Sequence, residues 1–301
     1  MIKKVILGLR PACPVGRPAD ALNCTFLVFL TIVTVLFHKK INSASLLISL
    51  YLVLFLIQTV LIYIKDRGGF FRFTYDLIFP TISILAIFDS LERLVHYINP
   101  KDIDPLLIRL DYVIFNGHPT VMIENIMVPF LTDILQVAYS SYYFLPVTLG
   151  IVLKFRKEDS AFDRSLFLIM LCFYISYIGY MLMPAIGPRY TINHLQNIDL
   201  KGLLIAQPLQ ELLNRLEGIK RDAFPSGHTG VALTVLYLAF RFEKRLFRIF
   251  LPFVTALIIS TVYCRYHYVV DVIAGILLAL ITIFMGEMYY GYREKRVNIN
   301  S

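Results

Sequence analysis

The stretch Phe224-Pro225-Ser226-Gly227-His228-Thr229-Gly230 sits where a long polar connection turns into an apolar run, which places His228 at the mouth of a helix. Pro225 is expected to open that helix with its φ already set. Ser226 supplies a hydroxyl, and Gly227 lets the backbone come close to a ligand. The first N–H groups of a helix lack internal partners and suit an oxyanion. A histidine beside such a nest can hand over a proton near neutrality. Taken alone, the stretch reads equally well as a Pro-Gly turn entering an apolar helix that happens to carry a histidine.

A second histidine changes the balance. In Cys264-Arg265-Tyr266-His267-Tyr268-Val269-Val270-Asp271, His267 and Asp271 lie four apart at the start of an apolar run, so they share one helix face. A carboxylate that accepts a hydrogen bond from one ring nitrogen fixes the tautomer and leaves the other nitrogen aimed outward as a nucleophile. Arg189 and Arg265 are planar cations suited to phosphate. A general acid, an oriented imidazole and converging arginines are the parts of phosphoryl transfer through a phosphohistidine. Without the Pro225–His228 stretch, His267–Asp271 would read as a structural pair at a helix mouth.

The elements that must position these groups are membrane spans. Of 301 residues, 57% are hydrophobic and 17% charged, outside the usual soluble range. Charge-free runs long enough to cross a bilayer make this an all-α, polytopic membrane helix bundle of about eight spans. They are expected near 21–37, 41–64, 75–96, 126–153, 165–184, 226–240, 249–264 and 267–290. Leu106, Leu107, Leu110 and Ile114 recur at helical spacing between turn signals, and so do Leu209, Leu212, Leu213 and Leu216 between Pro208 and Gly218. Both read as amphipathic helices in the interface. Asp133, a lone carboxylate inside a span, should face the protein interior. Tyr139, Tyr142 and Tyr143 read either as an aromatic belt or as pocket lining. Asp89, Glu92, Arg93 and His96, at the end of the third span, read as structural.

The formal charge of +8 resides in short loops. That is the topogenic pattern rather than a nucleic-acid surface. The turns at 65–72, 154–164 and 241–248 and the tail at 293–296 are basic and fall on the side of the N-terminus, which assigns that side to the cytoplasm. Arg189, His228 and His267 then share the extracytoplasmic face. Lys39, Lys40, Lys201 and Lys220 dissent. Cys13, Cys24, Cys172 and Cys264 show no paired metal spacing, and the N-terminus with Lys3, Lys4 and Arg10 does not read as a signal peptide.

From Asp222 to Gly275 the chain resembles the type 2 phosphatidic acid phosphatase superfamily, whose signature is P-S-G-H followed by S-R-x5-H-x3-D. Gly187-Pro188-Arg189-Tyr190, Phe224 to His228 and Tyr266 to Asp271, together with Asp111–Pro119 and Asp133–Tyr143, look like the branch containing the inositol phosphorylceramide synthases. The likeness implies an N-terminal two-span segment (1–74), a six-helix catalytic core (75–290) and a basic tail (291–301). It also implies His267 as nucleophile, Asp271 as its orienting partner and His228 as the acid that protonates the leaving oxygen, with no metal or cofactor. Phosphate would be held by Arg189, Ser226 and Gly227. Two departures stand out. Leu182 and Tyr190 replace the lysine and proline of the first motif, and Thr261 replaces the arginine of the third. Arg265, Lys220 and Arg221 are the candidates to make good the missing cations.

The expected activity is therefore cleavage of a lipid-linked phosphoester, with transfer of a phospho-headgroup to a lipid alcohol. Plain lipid phosphate hydrolysis is the alternative, and a non-catalytic lipid transporter or scaffold the alternative of another class. The expected partners are the bilayer, a lipid phosphoester and a lipid alcohol acceptor, with no nucleic acid.

Overall fold

A computed structural model describes residues 16–216 and 220–300. Lys3, Lys4, Arg10, Cys13 and Gly218 lie outside them, as does the side chain of Leu216. The described residues contain helices and connections but no strand.

The chain begins with an antiparallel pair, α1 (Pro18–Leu36) and α2 (Ala44–Ile64). Pro18 stands at the first helical position, and Asp20 accepts a hydrogen bond from the Arg17 backbone at 2.7 Å, so the helix start is capped from within. A helical turn at Gly69–Phe73 and a π-type turn at Thr74–Ile78 lead into α3 (Phe79–Ile98). The short α4 (Asp104–Phe115) follows, and α5 (Pro129–Ser140) and α6 (Phe144–Phe155) run on as one long rod. Next come α7 (Asp159–Leu182), α8 (Ala206–Leu216), α9 (Gly227–Phe242), α10 (Lys244–Tyr263) and α11 (Val269–Asn300).

Six of these segments are long and apolar enough to cross a membrane: α1, α2, the α5–α6 rod, α7, α10 and α11. The chain is an integral membrane helix bundle. The two other expected spans are also helices. α3 carries Asp89, Glu92 and Arg93 near its end, and α9 has 16 residues. Both pack on α7.

α7 is the central post. It is apolar all round, and α1, α3, α6, α9 and α11 pack against it, as expected of a helix buried on every side. α1 and α2, which lie outside the family likeness, are joined to the core by buried polar contacts. The Asn23 side chain accepts from Tyr174 of α7 and from Ser83 of α3 and donates to Gln58 of α2. Arg17 reaches Asp76 at 2.8 Å and lies over the Tyr75 ring, 3.7 Å from its centroid. Tyr75 in turn donates to Asp20. Polar groups at this depth need partners inside the protein, so these bonds fix where the hairpin docks.

Replacing Arg17 by Ala should therefore lower the detergent unfolding midpoint, by a loss of about 3 kcal/mol or more for breaking a buried pair. Arg72, which also reaches Asp76 but is 41% exposed, should cost under about 1 kcal/mol when truncated.

Candidate active site

The site forms where three non-helical segments meet at one end of the bundle. Ala223 donates its backbone N–H to Ala185 O at 3.0 Å, and Ser226 donates to Asp271 O at 3.1 Å. Two buried carboxylates of α4 tie the same segments down. Asp104 accepts from the backbone of Ile186 and Gly187, each at 2.9 Å, and from the Tyr268 hydroxyl. Asp111 accepts from Val269 and Val270 at 3.1 and 3.0 Å, filling the open N–H groups at the start of α11. Burial raises the Asp111 carboxyl above its ordinary value, and those two hydrogen bonds work against the rise. The helix read from the leucines is thus present as α4, with a role in the site that the leucines do not reveal.

His267 is held on its Nδ1 side. That nitrogen lies 2.8 Å from Ala223 O and 3.5 Å from Asp271 Oδ2. Two acceptors on one nitrogen assign the proton to Nδ1 and leave the Nε2 lone pair outward. Asp271 itself accepts from the Tyr268 backbone at 2.9 Å. The shorter bond to the ring therefore comes from the Ala223 carbonyl, which the motif spacing could not indicate. His267 Nε2 faces His228 Nδ1 at 3.5 Å. His228 is sandwiched between rings, with Tyr139 stacked at 4.4 Å and Tyr142 at 4.3 Å, and Tyr139 also stacks on Tyr266 at 4.1 Å. The first two tyrosines line the site, which resolves the belt-or-pocket alternative for them.

Around the two imidazoles lies a polar cavity of about 250 Å³, lined by Arg189, Lys220, Asn214, Asp222, Tyr190 and Tyr266 among others. Of the cations read from sequence, Arg189 and Lys220 reach this cavity. Arg265 and Arg221 are engaged elsewhere. Arg265 is buried, pairs with Glu124 at 2.7 Å and donates to Ile198 O at 2.8 Å. Burial pulls its guanidinium below the ordinary value, with the Glu124 charge opposing. Arg221 pairs with Asp102 at 2.9 Å. Burial also pushes the neighbouring Cys264 thiol up to about 12.

The turn residues take structural places. The helix begins at Gly227, so Ser226 is its cap and Pro225 precedes the cap rather than opening the helix. The Ser226 hydroxyl oxygen accepts from Thr229 N at 3.3 Å and donates to Thr229 Oγ1. A side chain at Gly227 would meet the Tyr180 hydroxyl at 2.2 Å, so the absent Cβ serves the packing of α9 on α7. Gly187 is the other constrained glycine. Its φ is +97°, and a Cβ there would lie 2.6 Å from Tyr266 O.

α8 covers the cavity from the side. Asp133 faces inward as expected, and its carboxylate accepts the backbone N–H groups of Leu203, Leu204, Ile205 and Ala206 at 2.7–3.2 Å, fixing the entry to α8. Asn214 of α8 then accepts from Arg189 Nη1 at 3.2 Å. The Gln210 amide, with its oxygen turned to the guanidinium, accepts from Nη1 at 3.0 Å and Nη2 at 2.8 Å.

Truncating the two arginines should separate these roles. Arg189→Ala is expected to weaken inorganic phosphate binding about tenfold or more, the value of a charge-assisted hydrogen bond. Arg265→Ala should instead cost about 3 kcal/mol of stability by stranding Glu124, with phosphate affinity of the folded protein unchanged. Titration calorimetry and thermal unfolding of the purified variants read the two effects.

Residues 114–285 match the PAP2 superfamily, the type 2 phosphatidic acid phosphatases that the motifs resemble. The match takes in Arg189, His228, His267 and Asp271 and leaves out α1 to α3 and all but the end of α4. A "PA-phosphatase related-family protein" of Dictyostelium discoideum is 24% identical over 190 residues, 56% of this chain and 34% of that protein. The chain thus spans about a third of that relative's length. No solved structure matches. With the match running over more than half of its length and through both histidines, the chain belongs to the PAP2 superfamily.

Proposed function

We propose that this chain is a membrane enzyme that moves a phospho-headgroup from a lipid phosphodiester to a lipid alcohol through a phosphohistidine at His267. The observation that carries the reading is the position of His228. It lines the polar cavity with His267, Arg189 and Lys220, and it also lines a separate apolar cavity between α3, α6 and α7. A group that must protonate the leaving oxygen of a lipid belongs at such a seam.

In the proposed cycle His267 Nε2 attacks phosphorus and the bond to the lipid oxygen breaks. That oxygen leaves with the proton of His228. The acceptor alcohol then attacks phosphorus, its proton passes to His228, and the P–N bond breaks. Ala223 O and Asp271 stabilise the charge that develops on the His267 ring, while Arg189 and Lys220 offset the phosphoryl oxygens.

Three features favour an alcohol over water as acceptor. Leu182 and Thr261 leave fewer cations than a phosphomonoester pocket would use. Tyr139 and Tyr266 wall the histidines with rings. α8 lies over Arg189, with Leu213 buried and Leu212 turned outward. A phosphohistidine intermediate gains from such exclusion of water. The likeness to the inositol phosphorylceramide synthases at Gly187–Tyr190 and Tyr266–Asp271 points the same way, and the basic turns favour the extracytoplasmic face for the site.

The test uses purified protein with a phosphodiester lipid radiolabelled in its headgroup, with and without diacylglycerol or ceramide. Added alcohol should divert label from free phosphoalcohol to transferred lipid. Release of inorganic phosphate from phosphatidic acid, indifferent to either alcohol, would replace transfer by hydrolysis. In the same assay His267→Ala should lose turnover and acid-labile phosphoenzyme. His228→Ala should slow a poor leaving group at least about a hundredfold more than a good one.

Orientation is checked in a background without native cysteines. A cysteine at Asn197 should react with an impermeant thiol reagent on intact cells, and one at Ser160 should not. The reverse pattern puts the site in the cytoplasm.

A further inference from the structure

The apolar cavity is far deeper than a headgroup requires. Its lining on α7 runs from Tyr180, beside the site, through Tyr177, Phe173 and Ile169 to Ser165 and Phe162 at the opposite end. The helical rise between Phe162 and Tyr180 is about 27 Å. That approaches the roughly 30 Å of a whole hydrocarbon core and is about twice the depth of one leaflet.

Charge closes the far end. Asp76, which also lines the cavity, is 2% exposed and is held by Arg17 at 2.8 Å, Lys154 at 2.8 Å and Arg72 at 3.0 Å. An alkyl chain cannot advance past that cluster without separating buried ions. Gly150 of α6 narrows the same region, since a Cβ there would lie 3.1 Å from Leu77 and 3.4 Å from Phe162. The cavity is thus a slot that reaches His228 and Asp222 at one end and the Asp76 cluster at the other.

We propose that this slot receives one hydrocarbon tail of the enzyme's own lipid substrate, and that its depth selects a tail longer than one leaflet. The proposal rests on the phosphohistidine reading for the lipid's orientation, with the phosphate at His267 and the tail entering past His228. The tail, rather than a separate lipid, is the occupant because the phosphate cavity and the slot share His228 and Asp222, and a substrate's phosphate and tail are covalently joined across that seam. Each methylene that enters the slot from water should tighten binding by up to about fourfold, and by less where the tail leaves an apolar bilayer or micelle, until the chain meets the Asp76 cluster.

The probes are alkyl phosphates with octyl, dodecyl, hexadecyl and icosyl chains and a photoreactive diazirine at the tail end, plus a polyprenyl phosphate arm that separates an isoprenoid from a straight-chain source. Crosslinks on the full-length protein are mapped by mass spectrometry. Short chains should label near Tyr177 and Phe173 and the icosyl chain near Ser165 and Phe162, with affinity rising along the series. Ser165→Phe and Thr81→Phe should each stop the rise at a shorter chain and draw the icosyl crosslink back toward Phe173, with folding checked by thermal unfolding. Labels that stay on outward faces of the bundle at every chain length, or affinity that ignores chain length, overturn the proposal. Because crosslinking needs no turnover, loss of the phosphohistidine reading is seen separately, as absence of acid-labile label on His267 from a headgroup-labelled donor.

Discussion

The geometry of the site depends on how three stretches of irregular backbone satisfy their hydrogen bonds at the edge of the bundle. Peptide groups there lack the hydrogen bonds of a continuous helix, and unpaired buried ones are costly. The chain meets this by bonding Ala223 to Ala185 and Ser226 to Asp271 at the start of α11, and by lending the carboxylates of Asp104 and Asp111. The Ala223 carbonyl left facing inward is the group that receives His267 Nδ1. Backbone satisfaction and imidazole orientation are thus one arrangement, and α4 is part of it although it contributes no reacting group.

The bundle around that arrangement separates two environments. On one side of His228 lie Arg189 and Lys220, suited to a phosphate; on the other lies a slot walled by α3, α6 and α7. The Tyr139 and Tyr142 rings pack the imidazole at the boundary, presenting apolar faces without closing the polar side. α8 adds a cover whose placement depends on Asp133. Four backbone N–H groups on one carboxylate hold the start of that helix, and Gln210 and Asn214 farther along it hold Arg189.

Much of this was legible in the chain. Charge-free runs marked the spans because few other structures bury so many apolar residues in sequence. The bundle has the expected elements, with α3 and α9 less apolar or shorter than a span alone would need. The paired motifs carried the family, and the inward direction of Asp133 followed from the cost of a carboxylate in a membrane. The partners of the arginines were not legible. Arg265 stands two residues from His267 in sequence, yet its buried pair is Glu124, supplied by a segment far earlier in the chain.

By itself the sequence determined that the chain crosses a membrane, where its apolar helices run, and that two histidines and an aspartate stand at helix mouths. These are local properties, written in composition and in spacings of three or four residues. The tertiary structure decided which cations face the histidines, that a carbonyl gives the nearer contact to His267 Nδ1 with Asp271 behind it, that Gly227 serves packing, and that a slot nearly as deep as the bilayer meets the site. Each of those follows from contacts between residues distant in sequence, whose approach is set by how whole helices pack, and no local spacing records it.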